Sequence, residues 1–141
     1  MRPHPKVMIV SGEASGDMHG AKLAESLDAT TGSLELFGIG GERMQSAGVR
    51  IEFDARRLAA VGITEVIANV SNILDGMRTA KRLVVEERPD LLILIDFPEF
   101  NLHLASFAKK HAIPVLHYIS PTIWAWRQGR VKKIKRIVDH M

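Results

Sequence analysis

The sequence predicts an α/β protein in which a parallel sheet is flanked by helices, and three observations lead to this prediction. Short aliphatic and β-branched runs recur along the chain, and stretches with apolar residues at helical spacing separate them. Alternation of this kind specifies a layered sheet with right-handed crossover connections. The composition, with 46% hydrophobic and 25% charged residues, is that of a packed globular domain.

Five runs are predicted to be strands because each is short, rich in aliphatic residues and bounded by polar or turn-forming residues. They are "KVMIVSG", "LELFGIG", "VRIEF", "DLLILID" and "PVLHYIS". Near-continuous apolar runs are typical of parallel strands that are buried on both faces. We therefore expect helices to cover both faces of the sheet.

Helices are predicted between these strands. The first follows Ser15, a short one follows "GIGG", and longer ones span residues 70–87 and 101–112. The last basic segment, "VKKIKRIVDHM", is also predicted to be helical, and it stops without a glycine cap. This abrupt end leads us to expect that residues 1–141 form one half of a longer protein.

Several classes of site are disfavoured by the composition. The chain has no cysteine, which removes disulfides, zinc–thiolate sites and thiolate nucleophiles. Its six histidines show no metal-ligand spacing, so we predict no metal site and no cofactor, and His117 inside the fifth strand is expected to be a core or rim histidine. The apolar runs are far shorter than the ~20 residues that span a bilayer.

Positive charge is concentrated near the end of the sequence. Residues 102–141 hold eight Lys or Arg and one acid, whereas residues 1–101 hold eleven Lys or Arg and fifteen acids. Most of these cations lie in "RQGRVKKIKR", directly after the two tryptophans of the chain, Trp124 and Trp126. A polyanionic partner would therefore meet this end.

The loop after the first strand, "SGEASGD", is expected to bind hydroxyls rather than phosphate. It matches neither the dinucleotide fingerprint nor a P-loop. Glu13 and Asp17 stand at the predicted helix N-terminus, where their carboxylates would repel a phosphate. The structural alternative is that Ser15 caps this helix, Asp17 complements its dipole, and Gly12 and Gly16 permit the turn.

Asp96 is the candidate general base. It ends an aliphatic strand, and ligands of open α/β sheets bind outside the carboxyl ends of the strands. A carboxylate at the rim of a water-poor cleft can have a raised pKa, which suits proton abstraction. Pro98 fixes the turn that follows, and Asn101 can cap the next helix. The alternative is that Asp96 only accepts hydrogen bonds from nearby backbone amides.

Five segments, in this order and at these intervals, resemble the lipid-A-disaccharide synthase family of bacterial glycosyltransferases. They are "SGEASGD", "GIGGERM", "AAVGITEV", "IDFPEFN" and "HYISPTIWAWRQGRVKKIKR". The resemblance covers nearly the whole chain, and "SPTIWAWRQGR" is its most specific part. One position departs from the family pattern, because Glu99 stands where the family usually has aspartate; this leaves Asp96 intact and puts any role of position 99 in doubt.

The resemblance implies a GT-B-type fold of two Rossmann-like domains facing across a cleft. Residues 1–141 would be the N-terminal, acceptor-side domain, and a C-terminal domain absent from this chain would bind the nucleotide sugar. The family joins UDP-2,3-diacylglucosamine to 2,3-diacylglucosamine 1-phosphate, called lipid X. The products are the β-1,6-linked lipid A disaccharide 1-phosphate and UDP. We therefore expect an inverting hexosyltransferase that is inactive as this fragment alone.

The resemblance also implies a cytoplasmic protein held peripherally at the inner face of the inner membrane, with an oligomer possible at full length. Asp96 would be the catalytic base. Further substrate contacts are expected from loop residues, namely Glu13, Ser15, Gly16, Asp17, Asn101, Ser120, Trp124 and Arg127. Contacts with the membrane or with anionic lipid are expected from Val61, Ile63, Trp126, Arg130, Lys132 and Lys133.

Alternatives to these roles remain open. One tryptophan can be a core anchor, the basic run a solvated helix face, and "LAAVGITEVIANV" a packed helix. The chain could also be half of a UDP-sugar 2-epimerase, which acts on water-soluble substrates and has no need of interfacial tryptophans. A nucleic-acid-binding module is disfavoured because few aromatic residues are present to stack bases, so no nucleic-acid partner is expected.

Overall fold

The computed structural model describes residues 5–12, 14–31, 34–55, 66–95 and 98–118. The five predicted strands are all present within these residues, as β1 (Lys6–Ser11), β2 (Glu35–Gly40), β3 (Arg50–Asp54), β4 (Leu91–Ile95) and β5 (Val115–Tyr118). The helices are α1 (Ala14–Thr31), α2 (Glu42–Ser46), α3 (Val66–Glu87) and α4 (Pro98–Lys110). The helix predicted in "VKKIKRIVDHM" lies outside the described residues.

The strands form one sheet in the order β3-β2-β1-β4-β5, and every neighbouring pair is parallel. This order places the first strand at the centre and builds outward in both directions, as in Rossmann-like folds. The predicted fold class is confirmed.

The strands β1, β2 and β4 are buried on both faces, which explains why they are largely apolar, whereas the edge strand β3 carries charged residues and is mostly exposed or half-buried. Alternate residues of β1 enter different clusters, because successive side chains of a strand point to opposite faces. Met8 and Val10 belong to the cluster that includes residues of α3 and α4, whereas Val7 and Ile9 belong to the cluster that includes residues of α1 and α2.

Three helix boundaries differ from the prediction. Helix α4 begins at Pro98, three residues before Asn101, because a proline fits the first turn, where its missing N–H is not needed. The same helix ends at Lys110, and Ala112 beyond it has a left-handed φ of 58°. Helix α3 begins at Val66, since the apolar residues before position 70 carry no signal that would stop a helix.

Gly38 is required where β2 meets its neighbours. Its φ is 148°, and the register between β2 and β3 shifts between Gly38 and Ile39. A Cβ at this position would overlap the carbonyl oxygen of Ile9 on β1. Only glycine therefore permits this bulge beside the central strand.

Candidate active site

The carboxyl ends of β1 and β4 lie side by side at the centre of the sheet. Ser11, the last residue of β1, pairs in register with Ile95, the last residue of β4. From this point the chain crosses over in opposite directions, to β2 on one side and to β5 on the other. Such a switch point is where open α/β sheets bind ligands.

Helix α1 packs directly onto these two strand ends through Gly16. This residue is buried, and an added Cβ would lie well within van der Waals contact distance of Ser11 Oγ and 3.4 Å from Ile95 Cγ2. The first turn of α1 can therefore approach the sheet this closely only because position 16 has no side chain. A direct contact between Gly16 and a substrate stays a prediction.

Asp17 is bound to the start of α2. Its Oδ1 accepts hydrogen bonds from the backbone N–H groups of Gly41 at 2.8 Å and Met44 at 3.0 Å, and its Oδ2 accepts one from Arg43 at 3.0 Å. The carboxylate is thus the N-terminal cap of a helix other than its own, and only 8% of the residue is exposed. The geometry favours a structural role, although the partner is α2 and not the N-terminus of α1.

The Asp17 bonds also affect what the start of α2 can bind. A helix N-terminus attracts phosphate through unpaired N–H groups and a positive end of the helix dipole. Here a protein carboxylate uses those amides, so an anionic ligand would have to displace Asp17. Among the described residues, the start of α2 is therefore unsuited to a diphosphate.

Asn101 lies within α4, at its fourth residue, and it does not cap that helix. Its side chain is fully buried, and Nδ2 donates a hydrogen bond to the carbonyl oxygen of Ile95 at 3.2 Å. Its Oδ1 is also buried and has no hydrogen-bond partner among the residues that the structure describes. Asn101 thus connects α4 to the end of β4, and its predicted contact with a substrate remains a prediction.

Of the remaining predicted site residues, Ser15 alone belongs to the described part of the chain. Ser15 lies in the first turn of α1. The others lie outside the described residues, and these are Glu13, Val61, Ile63, Asp96, Ser120, Trp124, Trp126, Arg127, Arg130, Lys132 and Lys133.

His117 is buried in β5, with 2% of its surface exposed, which agrees with the core interpretation. In the part of the chain that the structure describes, no group of three or more His, Asp or Glu side chains is arranged to hold a metal ion. None of the helices in that part is both long enough and apolar enough to span a bilayer.

An open groove of about 460 Å³ lies between α1 and α2. Its lining carries both signs of charge, and it consists of Met18, Ala21, Lys22, Glu25, Glu42, Arg43 and Ser46. None of these residues belongs to β4 or α4, so the groove is separate from the switch point.

Solved structures with the same fold include sugar-nucleotide enzymes. A Listeria monocytogenes protein assigned as a UDP-N-acetylglucosamine 2-epimerase superposes with a TM-score of 0.67 at 12% identity, over 98% of this chain and 38% of that one. MurG of Acinetobacter baumannii superposes with a TM-score of 0.57 at 16% identity, over 97% of this chain and 40% of that one. At these identities the likeness establishes the Rossmann-like fold alone.

Sequence relatives are much closer. Lipid-A-disaccharide synthase of Trichlorobacter lovleyi is 53% identical over 136 residues, which cover 96% of this chain and 36% of the relative. Lipid-A-disaccharide synthase of Coxiella burnetii is 50% identical over 135 residues, which cover 96% of this chain and 36% of the relative. This chain therefore spans about 36% of the length of these relatives.

The family model described as lipid-A-disaccharide synthetase matches residues 7–141. That range includes every described element from β1 to β5 except the first residue of β1. The chain belongs to the lipid-A-disaccharide synthetase family.

Proposed function

We propose that this chain is the acceptor-side half of a lipid-A-disaccharide synthase. The observation that carries the proposal is the match to this family over residues 7–141, with relatives of that name at 50–53% identity. The whole enzyme would join UDP-2,3-diacylglucosamine to 2,3-diacylglucosamine 1-phosphate. The product would be a β-1,6-linked disaccharide 1-phosphate, with release of UDP.

In this reaction the 6-hydroxyl oxygen of the acceptor attacks the anomeric carbon of the donor. The bond from that carbon to the diphosphate oxygen breaks, and UDP leaves with the bonding electrons. A base takes the hydroxyl proton as the new bond forms, which is a contribution that side-chain carboxylates commonly make. We assign this role to Asp96, because it directly follows Ile95 at the switch point between β1 and β4.

The donor diphosphate would be bound by a second domain. Two features of this half support that division. The amides at the start of α2 are hydrogen-bonded to Asp17, and the loop before α1 adds a second acid, Glu13. A diphosphate at either position would be repelled by a carboxylate, whereas a sugar hydroxyl can donate a hydrogen bond to that carboxylate.

The acceptor is acylated, so its site must combine apolar area with positive charge near a lipid surface. We assign the sugar and phosphate contacts to Ser120, Trp124 and Arg127. Contact with anionic lipid at the inner face of the inner membrane is assigned to Val61, Ile63, Trp126, Arg130, Lys132 and Lys133. Basic residues next to apolar ones are suited to such a surface.

Liposome co-sedimentation of the full-length protein tests the membrane assignment. Vesicles with anionic lipid should retain more protein than neutral vesicles, and added salt should weaken that retention. Combined Trp126→Ala, Lys132→Ala and Lys133→Ala substitutions should reduce it. Unchanged retention by this variant would remove the assignment without affecting the proposed chemistry.

The role of Asp96 is tested by Asp96→Asn in the full-length enzyme, because asparagine keeps the size of the side chain and removes its basicity. We expect kcat to fall by roughly 10²–10⁴, the usual range for a general base, with little change in melting temperature. The matched control is Asp54→Asn, since Asp54 is the last residue of β3. That control should keep kcat within about threefold of the parent enzyme.

A structural aspartate would behave differently. Its replacement would lower the melting temperature while leaving the kcat of the folded fraction near normal. An Asp96→Asn enzyme with most of its kcat would therefore remove Asp96 from catalysis, and Glu13 would become the candidate base.

A further inference from the structure

Among the described residues, two large apolar side chains are exposed, and both belong to α3. Leu74 is 57% exposed and Val85 is 49% exposed. They lie eleven positions apart, which is about three helical turns, so both occupy the same side of the helix. Arg78 and Lys81 lie between them, at successive spacings of four, three and four. We refer to these four residues as the α3 stripe, which has apolar ends and a cationic centre.

The α3 stripe is distinct from the side of the helix that packs against the core. That side consists of Ile73, Met77, Ala80 and Val84. Each stripe residue directly follows one of these, and successive residues of a helix are rotated by about 100°. The Arg78 side chain is 80% exposed, and Lys81 Nζ lies 5.2 Å from the centroid of the Phe107 ring on α4. The stripe therefore runs along the outer surface of α3, beside α4.

The cationic centre of the stripe carries repulsion within the helix. Arg78 is three positions from Lys81 and four from Arg82, and like charges at these spacings repel each other. Arg78 Nη1 contacts Asp75 Oδ1 at 3.4 Å, but this pair is exposed and contributes little to stability. An acidic group bound over the stripe would relieve the repulsion.

The charge pattern distinguishes between possible occupants of the stripe. A second copy of the chain, antiparallel and with Leu74 against Val85, would bring Arg78 against Lys81, and the two cations would repel. A parallel copy would bring each cation against its own equivalent. An anionic bilayer is broad and would also face Asp75 and Glu86, the acids that directly follow the two ends of the stripe. A single helix is narrow enough to contact the stripe alone.

We propose that the α3 stripe is a docking surface for an amphipathic helix of a partner protein. The partner helix has acidic residues at the centre of its contact face and apolar residues at both ends, which complements the stripe in charge and in hydrophobicity. None of the stripe residues is assigned to the substrates or to the membrane, so this surface is a function additional to the proposed transferase reaction and independent of it.

Fluorescence anisotropy with the full-length protein tests the proposal. The probe is a labelled synthetic helical peptide that has leucine at both ends of one stripe and two glutamates between them, at the same spacing. A second peptide has lysines in place of the glutamates. We expect the glutamate peptide to bind with a micromolar Kd, because the contact is small, and the lysine peptide to bind at least about tenfold more weakly. Equal binding of the two peptides, or no binding of the glutamate peptide, would overturn the proposal.

Charge reversal on the protein locates the binding surface. Arg78→Glu combined with Lys81→Glu should weaken binding of the glutamate peptide at least about tenfold and allow the lysine peptide to bind. The matched control is Lys22→Glu combined with Arg43→Glu, on α1 and α2 at the other face of the sheet, because it changes the net charge equally. Affinity for the glutamate peptide should stay within about twofold in this control. An equal loss in the control would reduce the effect to net charge and overturn the proposal.

The apolar ends of the stripe are tested without changing charge. Leu74→Gln combined with Val85→Thr alters two exposed positions, so the protein should fold normally, and the affinity for the glutamate peptide should fall by about threefold or more. Unchanged affinity would contradict docking along the whole stripe.

Co-sedimentation with anionic vesicles separates a partner helix from a lipid surface. The Arg78→Glu, Lys81→Glu variant and the Lys22→Glu, Arg43→Glu control should be retained equally, since both carry the same net charge. Weaker retention of the Arg78→Glu, Lys81→Glu variant than of the control would assign the stripe to lipid and overturn the proposal.

Discussion

The two edges of the sheet are stabilised by different chemistry. At the amino edge, which contains Lys6, Glu35, Arg50, Glu87 and Asp90, charged side chains form ion pairs near the surface. Arg50 contacts three acids at 2.7–3.1 Å, and Lys6 Nζ lies 2.8 Å from Glu87 Oε2. The backbone N–H of Lys6 also donates to Asp90 Oδ2 at 2.9 Å.

At the carboxyl edge, which contains Ser11, Gly16, Asp17, Ile95 and Asn101, the contacts are buried or partly buried and mostly join a side chain to the backbone. Asp17 receives three backbone N–H groups, and Asn101 donates to a carbonyl. Exposed ion pairs contribute about 0–1 kcal/mol each, whereas a buried polar group left without its partner costs about 1–3 kcal/mol. In the described part of the chain, the edge with fewer ion pairs is therefore the more sensitive to substitution.

The charges of the amino edge shift one another's protonation. The pKa of Glu87 is lowered, first by its hydrogen bond to Lys6 and against the opposing effect of burial, with Arg50 adding to the shift. Burial would lower the pKa of Arg50, but Glu87, Glu52 and Glu35 outweigh it and the pKa is raised. Both groups stay charged in the folded protein near neutral pH.

The largest effect on stability is expected from Asp17→Ala at the carboxyl edge. The substitution leaves the N–H groups of Gly41, Arg43 and Met44 without their acceptor, and it should destabilise the start of α2 by about 2–3 kcal/mol. Hydrogen exchange measured by mass spectrometry on the full-length protein should show faster exchange in residues 41–46. The control is Asp28→Ala, an exposed acid on the same helix, which should leave this exchange unchanged.

A smaller loss of stability is expected from Gly16→Ala, because the new Cβ would overlap Ser11 Oγ. Overpacking of this kind costs about 1–3 kcal/mol, and rotation of the serine hydroxyl should hold the loss near the lower end. Calorimetric melting of the full-length protein measures this loss of stability. Adding Ser11→Gly should restore part of the melting temperature, and a double variant no more stable than Gly16→Ala would contradict the steric explanation.

The smallest effect on stability is expected at the amino edge, from Glu87→Gln. Because the folded-state pKa of Glu87 lies below its ordinary value of 4.5, its ion pairs contribute fully above about pH 4.5, and the contribution is lost as the pH falls through the lowered value. Glu87→Gln should reduce stability at pH 7 by less than about 1 kcal/mol, and the loss should be smaller at pH 3, below the ordinary pKa of 4.5.

Calorimetric melting between pH 3 and pH 7 measures this difference. Glu86→Gln provides the control, since Glu86 is the exposed neighbour and makes none of these ion pairs. A larger loss for Glu87→Gln than for Asp17→Ala would reverse the ranking of the two edges.

Most of the fold could be predicted from the sequence because its signals are local. Apolar runs bounded by polar residues located all five strands, and helical spacing located the helices between them. The boundaries were less accurate where the local signal was ambiguous. Asparagine is common at helix N-caps, which predicts a capping role for Asn101, but the helix already begins at Pro98 and the Asn101 side chain instead donates to the carbonyl of Ile95.

The candidate site was harder to predict because its contacts join distant residues. The acidic character of the loop before α1 was visible, but nothing in the sequence paired Asp17 with Gly41, which lies 24 positions away. The end of β4 followed from the sequence pattern, whereas the hydrogen bond from Asn101 to the carbonyl of Ile95 depends on how α4 packs against β4. Long-range geometry of this kind is set by tertiary packing and not by residue spacing.

The bonds from Asp17 also have a mechanical consequence. They link the first turn of α1 to the first turn of α2 at three points, so these two turns should tilt and shift as one rigid unit. A ligand that displaces the start of α1 would then also move the start of α2, without contacting α2. Any hinge at this end of the sheet must accordingly lie outside the pair of turns that Asp17 joins.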